Sequence, residues 1–210
     1  KRDASVAVIG SGGGIDVQNA LVLGARQVTA IEINPVILEL VKGRYREAAS
    51  GVFTDPRVRV VQDEGRSYIA RSRARFDLIQ STLIDTWAAS ASGAYSLSEN
   101  YLYTVEAIES FLDHLAPGGV LSITRWYYEA PRLASLVREA LARRGVTDPS
   151  RHVMVVEQRL RSTLIVKSEP FTEAESSVLA EFVSLSPERV LQHDPLAPSD
   201  TGFFGAFLGK

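Results

Sequence analysis

Ser5-Val-Ala-Val-Ile9 runs directly into Gly10-Ser-Gly12-Gly-Gly14. A short apolar run rich in β-branched residues, cut off by clustered glycines, reads as a buried strand meeting a sharp turn. Asp16 to Leu23 then reads as a helix closed by Gly24. Strand, glycine turn and helix together let main-chain amides approach a ligand closely. The dinucleotide fingerprint would place another Gly or Ala where this chain has Ile15. The loop alone therefore leaves two readings open, a nucleotide cradle and a tight turn with no ligand.

Working outward, strands and helices alternate. Gln27 to Ile33 is a second strand, and Asn34-Pro35 starts a helix that the apolar spacing of Val36, Ile37, Leu40 and Val41 carries to about Ala49. Arg57 to Gln62 is a third strand, Glu64 or Gly65 to Arg71 a short helix, and Phe76 to Ser81 a fourth strand. Leu83 to Asn100, rich in Ala and Ser, reads as a loop that orders over a ligand. Tyr101 to Leu115 returns to helix, Pro117-Gly-Gly119 is a tight turn, Val120 to Thr124 a fifth strand and Arg132 to Arg144 a helix. His152 to Glu157 and Ser162 to Lys167 are strands joined too tightly to be anything but antiparallel. Thr172, with Glu175 three residues on, opens a last helix to Val183. Past Leu185, with Pro187, Pro195 and Pro198, no element is evident. The alternation demands an α/β fold with a mostly parallel sheet covered by helices on both faces.

Composition narrows the function classes. The 210 residues include no cysteine, which removes disulfides, thiolate metal sites and cysteine nucleophiles. A net charge of -2 argues against a dedicated nucleic-acid binder. No apolar run approaches the length of a membrane span. Lys1-Arg2-Asp3 lead straight into the first strand without an initiator Met, so the chain reads as a piece of a larger protein. His114, His152 and His193 have no neighbours at ligand spacing, so no metal is expected.

Two carboxylates give the glycine loop its meaning. Glu32 closes the second strand, where a carboxylate accepts hydrogen bonds from both ribose hydroxyls, and Asp63 closes the third, within reach of the exocyclic amine of a base. Gly10, Gly12, Gly14, Glu32 and Asp63 together fit an adenosine-containing ligand.

In this order, Val8-Ile-Gly-Ser-Gly-Gly-Gly14, Ile31-Glu-Ile-Asn-Pro35, Val61-Gln-Asp-Glu-Gly65 and Phe76-Asp-Leu-Ile79 resemble class I S-adenosylmethionine-dependent transferases. Asn100-Tyr-Leu-Tyr103 and Leu115-Ala-Pro-Gly-Gly-Val-Leu121 bring the likeness closest to the spermidine and spermine synthase family, over about residues 5 to 168. The resemblance implies a doubly wound, Rossmann-like sheet of seven strands ending in the antiparallel hairpin. Residues 1 to 184 would form the nucleotide-binding transferase domain and 185 to 210 a Pro-rich C-terminal segment. It also implies that Gly10, Gly12 and Gly14 line the nucleotide, Glu32 holds the ribose and Asp63 the adenine, with Glu64 beside it in the same motif. The expected ligand is S-adenosylmethionine or its decarboxylated form.

The chain departs from the family twice. Gly13 stands where the family's glycine loop carries an Asp, and Thr82 stands where the first Asp of an Asp-x-x-Asp pair acts as base, leaving Asp85 as the second. A threonine hydroxyl is not basic at neutral pH. Asp16 either replaces the missing loop carboxylate against a ligand ammonium or serves its helix start. Asp85 is the candidate amine partner or general base. Thr82, Trp87 and Tyr95 are candidates for the acceptor side, where rings can wall a cation. Tyr101 and Trp126 are expected to pack the core. Three functions stay open: aminopropyl transfer to a small acceptor such as a polyamine, methyl transfer to a small molecule, and a nucleotide-binding module without catalysis. No nucleic-acid partner is expected, a homodimer stays open, and the expected location is cytoplasmic, with a membrane-attached parent left open.

Overall fold

The structure, a computed structural model, describes residues 3–84, 101–197 and 203–208. Its centre is one sheet with strands β1 (Ser5–Ile9), β2 (Gln27–Glu32), β3 (Val58–Gln62), β4 (Phe76–Thr82), β5 (Leu115–Trp126), β6 (Val153–Gln158), β7 (Arg161–Val166) and β8 (Arg189–His193). Their spatial order is β3-β2-β1-β4-β5-β7-β6-β8. The pairs β3–β2, β2–β1, β1–β4 and β4–β5 are parallel, whereas β5–β7, β7–β6 and β6–β8 are antiparallel. The Rossmann-like, methyltransferase-type sheet implied by the resemblance is therefore present, with its C-terminal hairpin.

Helices cover both faces because the strands in the middle of the sheet are apolar on both sides. Helices α1 (Ile15–Val22) and α2 (Pro35–Lys42) lie on one face, where Val17, Ala20, Leu21 and Val41 pack on Val6, Val8, Val28 and Ala30. Helices α3 (Gly65–Arg71), α4 (Val105–Asp113) and α5 (Ala130–Arg143) cover the other, where Ile69, Ile108, Phe111, Val137 and Leu141 bury Ile9, Ile31, Ile79, Leu121 and Ile123. Helix α6 (Glu173–Ser184) begins with the expected capping box between Thr172 and Glu175. A short helix α7 (Phe203–Leu208) adds Phe204 and Leu208 to the second core.

Several boundaries differ from the sequence reading. Helix α2 ends at Lys42, not near Ala49, because Gly43 leaves helical geometry with φ -106° and ψ -107°. The helix expected from Tyr101 to Leu115 has its regular part at Val105–Asp113, capped by the Thr104 hydroxyl on the Ala107 amide, and Leu115 already belongs to β5. Pro117-Gly-Gly119 is a bulge inside β5: Phe76 pairs with Leu115 and Leu78 with Val120, so the intervening residues are looped out. The sheet has an eighth strand, because the segment after Leu185 returns as β8 beside β6. Arg159 in the β6–β7 turn forms an ion pair with Glu188, which ties that turn to the approach of β8.

Candidate functional site

The strand order reverses between β1 and β4: from β1 the chain moves out to β2 and β3, then returns to the other side of β1 as β4. Ligands of open α/β sheets bind in the crevice that this reversal leaves at the carboxyl ends of the strands. The glycine loop stands there. Gly14, the N-cap of α1, has φ 91°, and a Cβ built on it would lie 2.8 Å from Val52 Cγ2 and 2.9 Å from Phe53 Cε2. Gly10 has φ 68°, and its Cβ would meet Ile84 at 2.8 Å. Both positions combine left-handed backbone with close neighbours, so only glycine fits. A 3.0 Å bond from the Ser11 amide to the Ile31 carbonyl ties the loop to β2.

Glu32 is buried at the end of β2, and each of its oxygens already accepts a main-chain amide. Oε2 receives Gly12 N at 2.9 Å and Oε1 receives Asn34 N at 2.9 Å. A carboxylate has about four acceptor sites, so it retains capacity for hydroxyls while it braces the loop. Asp63 follows β3; its Oδ1 accepts the Glu64 amide at 2.8 Å, and its Oδ2 is ion-paired with Arg71. Glu64 sits beside it, but both its oxygens cap α3, accepting Arg66 N and Ser67 N at 2.8 Å each. Its position next to Asp63 is as expected; its side chain serves the helix start.

Asp16, in the first turn of α1, and Thr82, the last residue of β4, stand on the two sides of the switch point, and Gln80 Nε2 donates to Thr82 Oγ1 at 3.2 Å. Burial pushes the Asp16 carboxyl above its ordinary range, and the Thr82 hydroxyl opposes this. On the opposite face of β4, Ser81 pairs with the Tyr103 hydroxyl at 3.3 Å. Asp85, Trp87 and Tyr95 lie outside the described residues, as does the candidate lid beyond Ile84.

Two aromatic expectations are corrected in part. Tyr101 is 59% exposed and does not pack the core, whereas Tyr103 is buried. Trp126 is half-buried at the end of β5. The sequence reading also passed over Arg125, which is buried beneath this edge. Its guanidinium donates to the Ile84 carbonyl at 2.9 Å and to Glu129 at 2.8 Å, and lies 4.8 Å from the centre of the Tyr103 ring. The alternation of β5, which buries Leu121 and Ile123, was the available signal that Arg125 points inward. Among the described residues, no group of three or more His, Asp or Glu is placed to hold a metal.

A switch-point glycine loop, an acid at the end of β2 and an antiparallel final hairpin define a domain of the methyltransferase-type Rossmann fold. Residues 1–137 match the spermine/spermidine synthase domain, and the chain belongs to that family. It is 28% identical over 140 residues to polyamine aminopropyltransferase 2 of Hyperthermus butylicus, covering 66% of this chain and 44% of that protein. It is 30% identical over 145 residues to the polyamine aminopropyltransferase of Mycobacterium tuberculosis, covering 65% of this chain and 26% of that protein. The chain thus spans less than half the length of these relatives. In fold it is similar to a probable spermidine synthase from Corynebacterium glutamicum, with TM-score 0.64, 18% identity and coverage of 91% and 67% of the two chains. It is also similar to a spermidine synthase in complex with the transition-state analogue AdoDATO, with TM-score 0.59, 18% identity and coverage of 83% and 56%. No described helix is long and apolar enough to cross a membrane.

Proposed function

We propose that this chain is the donor-binding and catalytic core of an aminopropyltransferase that uses decarboxylated S-adenosylmethionine and passes its aminopropyl group to a small amine of the polyamine type. The observation that carries this reading is the line of carboxylates along the crevice: Asp63 after β3, Glu32 at the end of β2 and Asp16 in the first turn of α1, across the switch point from the end of β4. Gly10, Gly12 and Gly14 would approach the nucleoside, Glu32 would take the ribose hydroxyls and Asp63 the adenine amine. The cradle fits such a group, because Gly12 N on Glu32 fixes the loop at the strand ends, and beside Gly12 and Gly13 a Cβ would meet no side chain within 4 Å. A carboxylate at Asp16 repels the carboxylate of intact S-adenosylmethionine and favours a donor carrying only an ammonium. Asp85, with Trp87 and Tyr95, is assigned to the acceptor side, where a carboxylate and rings suit an ammonium.

A second reading, methyl transfer from intact S-adenosylmethionine, is favoured by one feature: Thr82 replaces the family's Asp at the end of β4. Calorimetry with both nucleotides, followed by measurement of methylthioadenosine release with putrescine, separates the two. At least tenfold tighter binding of the decarboxylated donor (about 1.4 kcal/mol), with amine-dependent release, is expected. Preference for the intact donor, with S-adenosylhomocysteine formed over a panel of small acceptors, would favour the second reading, and binding without any turnover would identify a nucleotide-binding module.

A further inference from the structure

The chain leaves β4 through a strained residue. Leu83, directly after Thr82, has φ 44°, in the left-handed region that side chains other than glycine rarely occupy. Such strain persists only where the surrounding structure holds it. Three contacts hold it here. The Leu83 amide donates to the Thr124 carbonyl of β5 at 3.0 Å. The Arg125 guanidinium donates to the Ile84 carbonyl at 2.9 Å. The Ile84 side chain packs beside Gly10, so closely that a Cβ there would lie 2.8 Å from Ile84 Cγ1. We infer that this elbow sets the direction in which the chain leaves β4 toward Asp85, and that Arg125 is its positioning residue. This rests on the aminopropyl-transfer reading above, in which Asp85 is assigned to the acceptor side.

Arg125 is buried on the face of β5 that also buries Leu121 and Ile123. An apolar side chain would suit that face, and replacing a buried ion pair by apolar residues is often neutral or stabilising. Stability therefore does not account for an arginine here. What a guanidinium adds is a planar fork that bonds two partners in fixed directions. One partner is the Ile84 carbonyl; the other is Glu129 Oε1, at 2.8 Å. Glu129 Oε2 is buried without a hydrogen-bond partner among the described residues, so the ion pair with Arg125 is what orients this carboxylate. The Tyr103 ring closes the circuit. Its centre lies 4.8 Å from the Arg125 guanidinium carbon, and its hydroxyl is 3.3 Å from Ser81 Oγ on β4. Strand β4, Tyr103, Arg125 and Ile84 thus brace one another around the bend.

The elbow stands at the carboxyl end of β4, beside the glycine loop, where donor and acceptor must come into line. Ile84 belongs to both sides. Its side chain is seated against the loop proposed to cradle the donor, and its carbonyl is part of the peptide that joins it to Asp85. Loss of the Arg125 bond frees that peptide plane and leaves the side chain in its seat on Gly10. The defect therefore falls on the amine side of the reaction and spares donor binding.

The test is methylthioadenosine release from decarboxylated S-adenosylmethionine with putrescine as the amine. Donor affinity is read by calorimetry and stability by urea unfolding. Arg125→Lys keeps the charge but loses the fork. It is expected to lower kcat/KM for putrescine about 100-fold, the cost of a misplacement of about 1 Å, and to leave the donor Kd within about threefold (under 1 kcal/mol). Glu129→Gln, which keeps an acceptor oxygen for Arg125, should lower the same parameter about tenfold or less (about 1.4 kcal/mol). Leu83→Gly and Leu83→Ala differ only in a Cβ, and this pair carries the test if Arg125→Lys does not fold. In ordinary backbone the glycine variant would be the less stable of the two. At φ 44° it should have the higher urea midpoint, yet the lower kcat/KM for putrescine, because a glycine elbow turns freely.

An unchanged kcat/KM for putrescine in Arg125→Lys, or an equal loss of donor affinity, overturns the inference. So does a Leu83→Gly protein that is less stable than Leu83→Ala, or no less active. An unaltered protein that binds donor but releases no methylthioadenosine overturns the aminopropyl reading, and the inference with it. Turnover by the unaltered protein, with variants that leave the putrescine parameters unmoved, overturns the inference alone.

Discussion

Gly12 donates its amide to Glu32 Oε2 at 2.9 Å, so the acid proposed to hold the ribose is also a brace for the loop that would face the nucleotide. The second oxygen performs the same service for Asn34, whose side chain in turn caps α2 through Val36 N. Glu32→Ala should therefore do two things. It should weaken nucleotide binding by roughly ten- to a hundredfold, and it should lower stability by ~1.5–3 kcal/mol, the usual range for lost hydrogen bonds to a charged group. Asn34→Ala loses the cap, worth ~1 kcal/mol, and should leave nucleotide affinity nearly unchanged. Calorimetry and urea unfolding on the two variants check the separation; equal affinity losses in both would mean that Glu32 acts only through the loop.

Gly13 and Gly14 are neighbours with opposite tolerance. Nothing lies within 4 Å of a Cβ built on Gly13, whereas a Cβ on Gly14 runs into Val52 and Phe53 at a left-handed backbone position. Gly14→Ala should lose ~2–4 kcal/mol through strain and overpacking. Gly13→Asp places the family's loop carboxylate in open space and should leave stability within about 0.5 kcal/mol. It should also tighten decarboxylated S-adenosylmethionine about two- to fivefold, the range of an exposed charge pair. Thermal unfolding and donor titration read both effects, and a Gly13→Asp protein that binds the donor more weakly would place the donor ammonium elsewhere.

The legible parts of this molecule were those set by local pattern. The strand, glycine turn and helix from Ser5 to Val22, the Asn34-Pro35 helix start and the Thr172–Glu175 capping box each depend on residues a few positions apart, and each is present. Strand β8 was missed because Arg189-Val-Leu-Gln-His193 is a short edge segment without clear alternation, whose existence depends on pairing with β6. The end of α2 was misplaced because Gly43 overrode an apolar spacing that looks helical beyond it. At the carboxyl edge of the sheet, Glu32 and Asp63 could be located from their position at strand ends. The approach of Thr82 to Asp16 could not, since it follows from β1 and β4 lying side by side, a property of topology. Asp85, Trp87 and Tyr95 lie outside the described residues, and their roles rest on the sequence pattern.

Lys167 shows how far a helix cap can reach. Its ammonium is buried at the end of β7 and sits 2.5 Å from Glu175 Oε1, while Glu175 Oε2 completes the capping box with the Thr172 amide at 2.9 Å. Glu175→Gln keeps the size of the side chain but leaves a buried ammonium without its counter-charge. A loss of ~1–3 kcal/mol is expected. Lys167→Met, which removes the buried charge altogether, should lose less than Glu175→Gln. The order of the two urea midpoints decides: a lower midpoint for Lys167→Met would mean that the side chain's own hydrogen bonding, not the pairing of the buried charge, dominates.

His193 gives the C-terminal strand a dependence on pH. It is buried at the end of β8, its Nε2 lies 2.9 Å from the Ser150 carbonyl, and its Nδ1 has no hydrogen-bond partner among the described residues. Burial lowers its pKa below the ordinary 6.5, against the opposing pull of the Ser150 carbonyl and of Asp194 and Asp148. The unfolded chain therefore binds a proton at His193 more readily than the folded one. Above the ordinary value both states are neutral and the contribution is complete. As pH falls through 6.5 the unfolded state takes up its proton first, and stability declines until the folded pKa is passed. The limiting slope from one such group is about 1.4 kcal/mol per pH unit. Urea unfolding between pH 7.5 and 5 should show this decline, and His193→Gln, which cannot titrate, should lack that part of it. An identical pH dependence in the two proteins would show that His193 is not the group responsible.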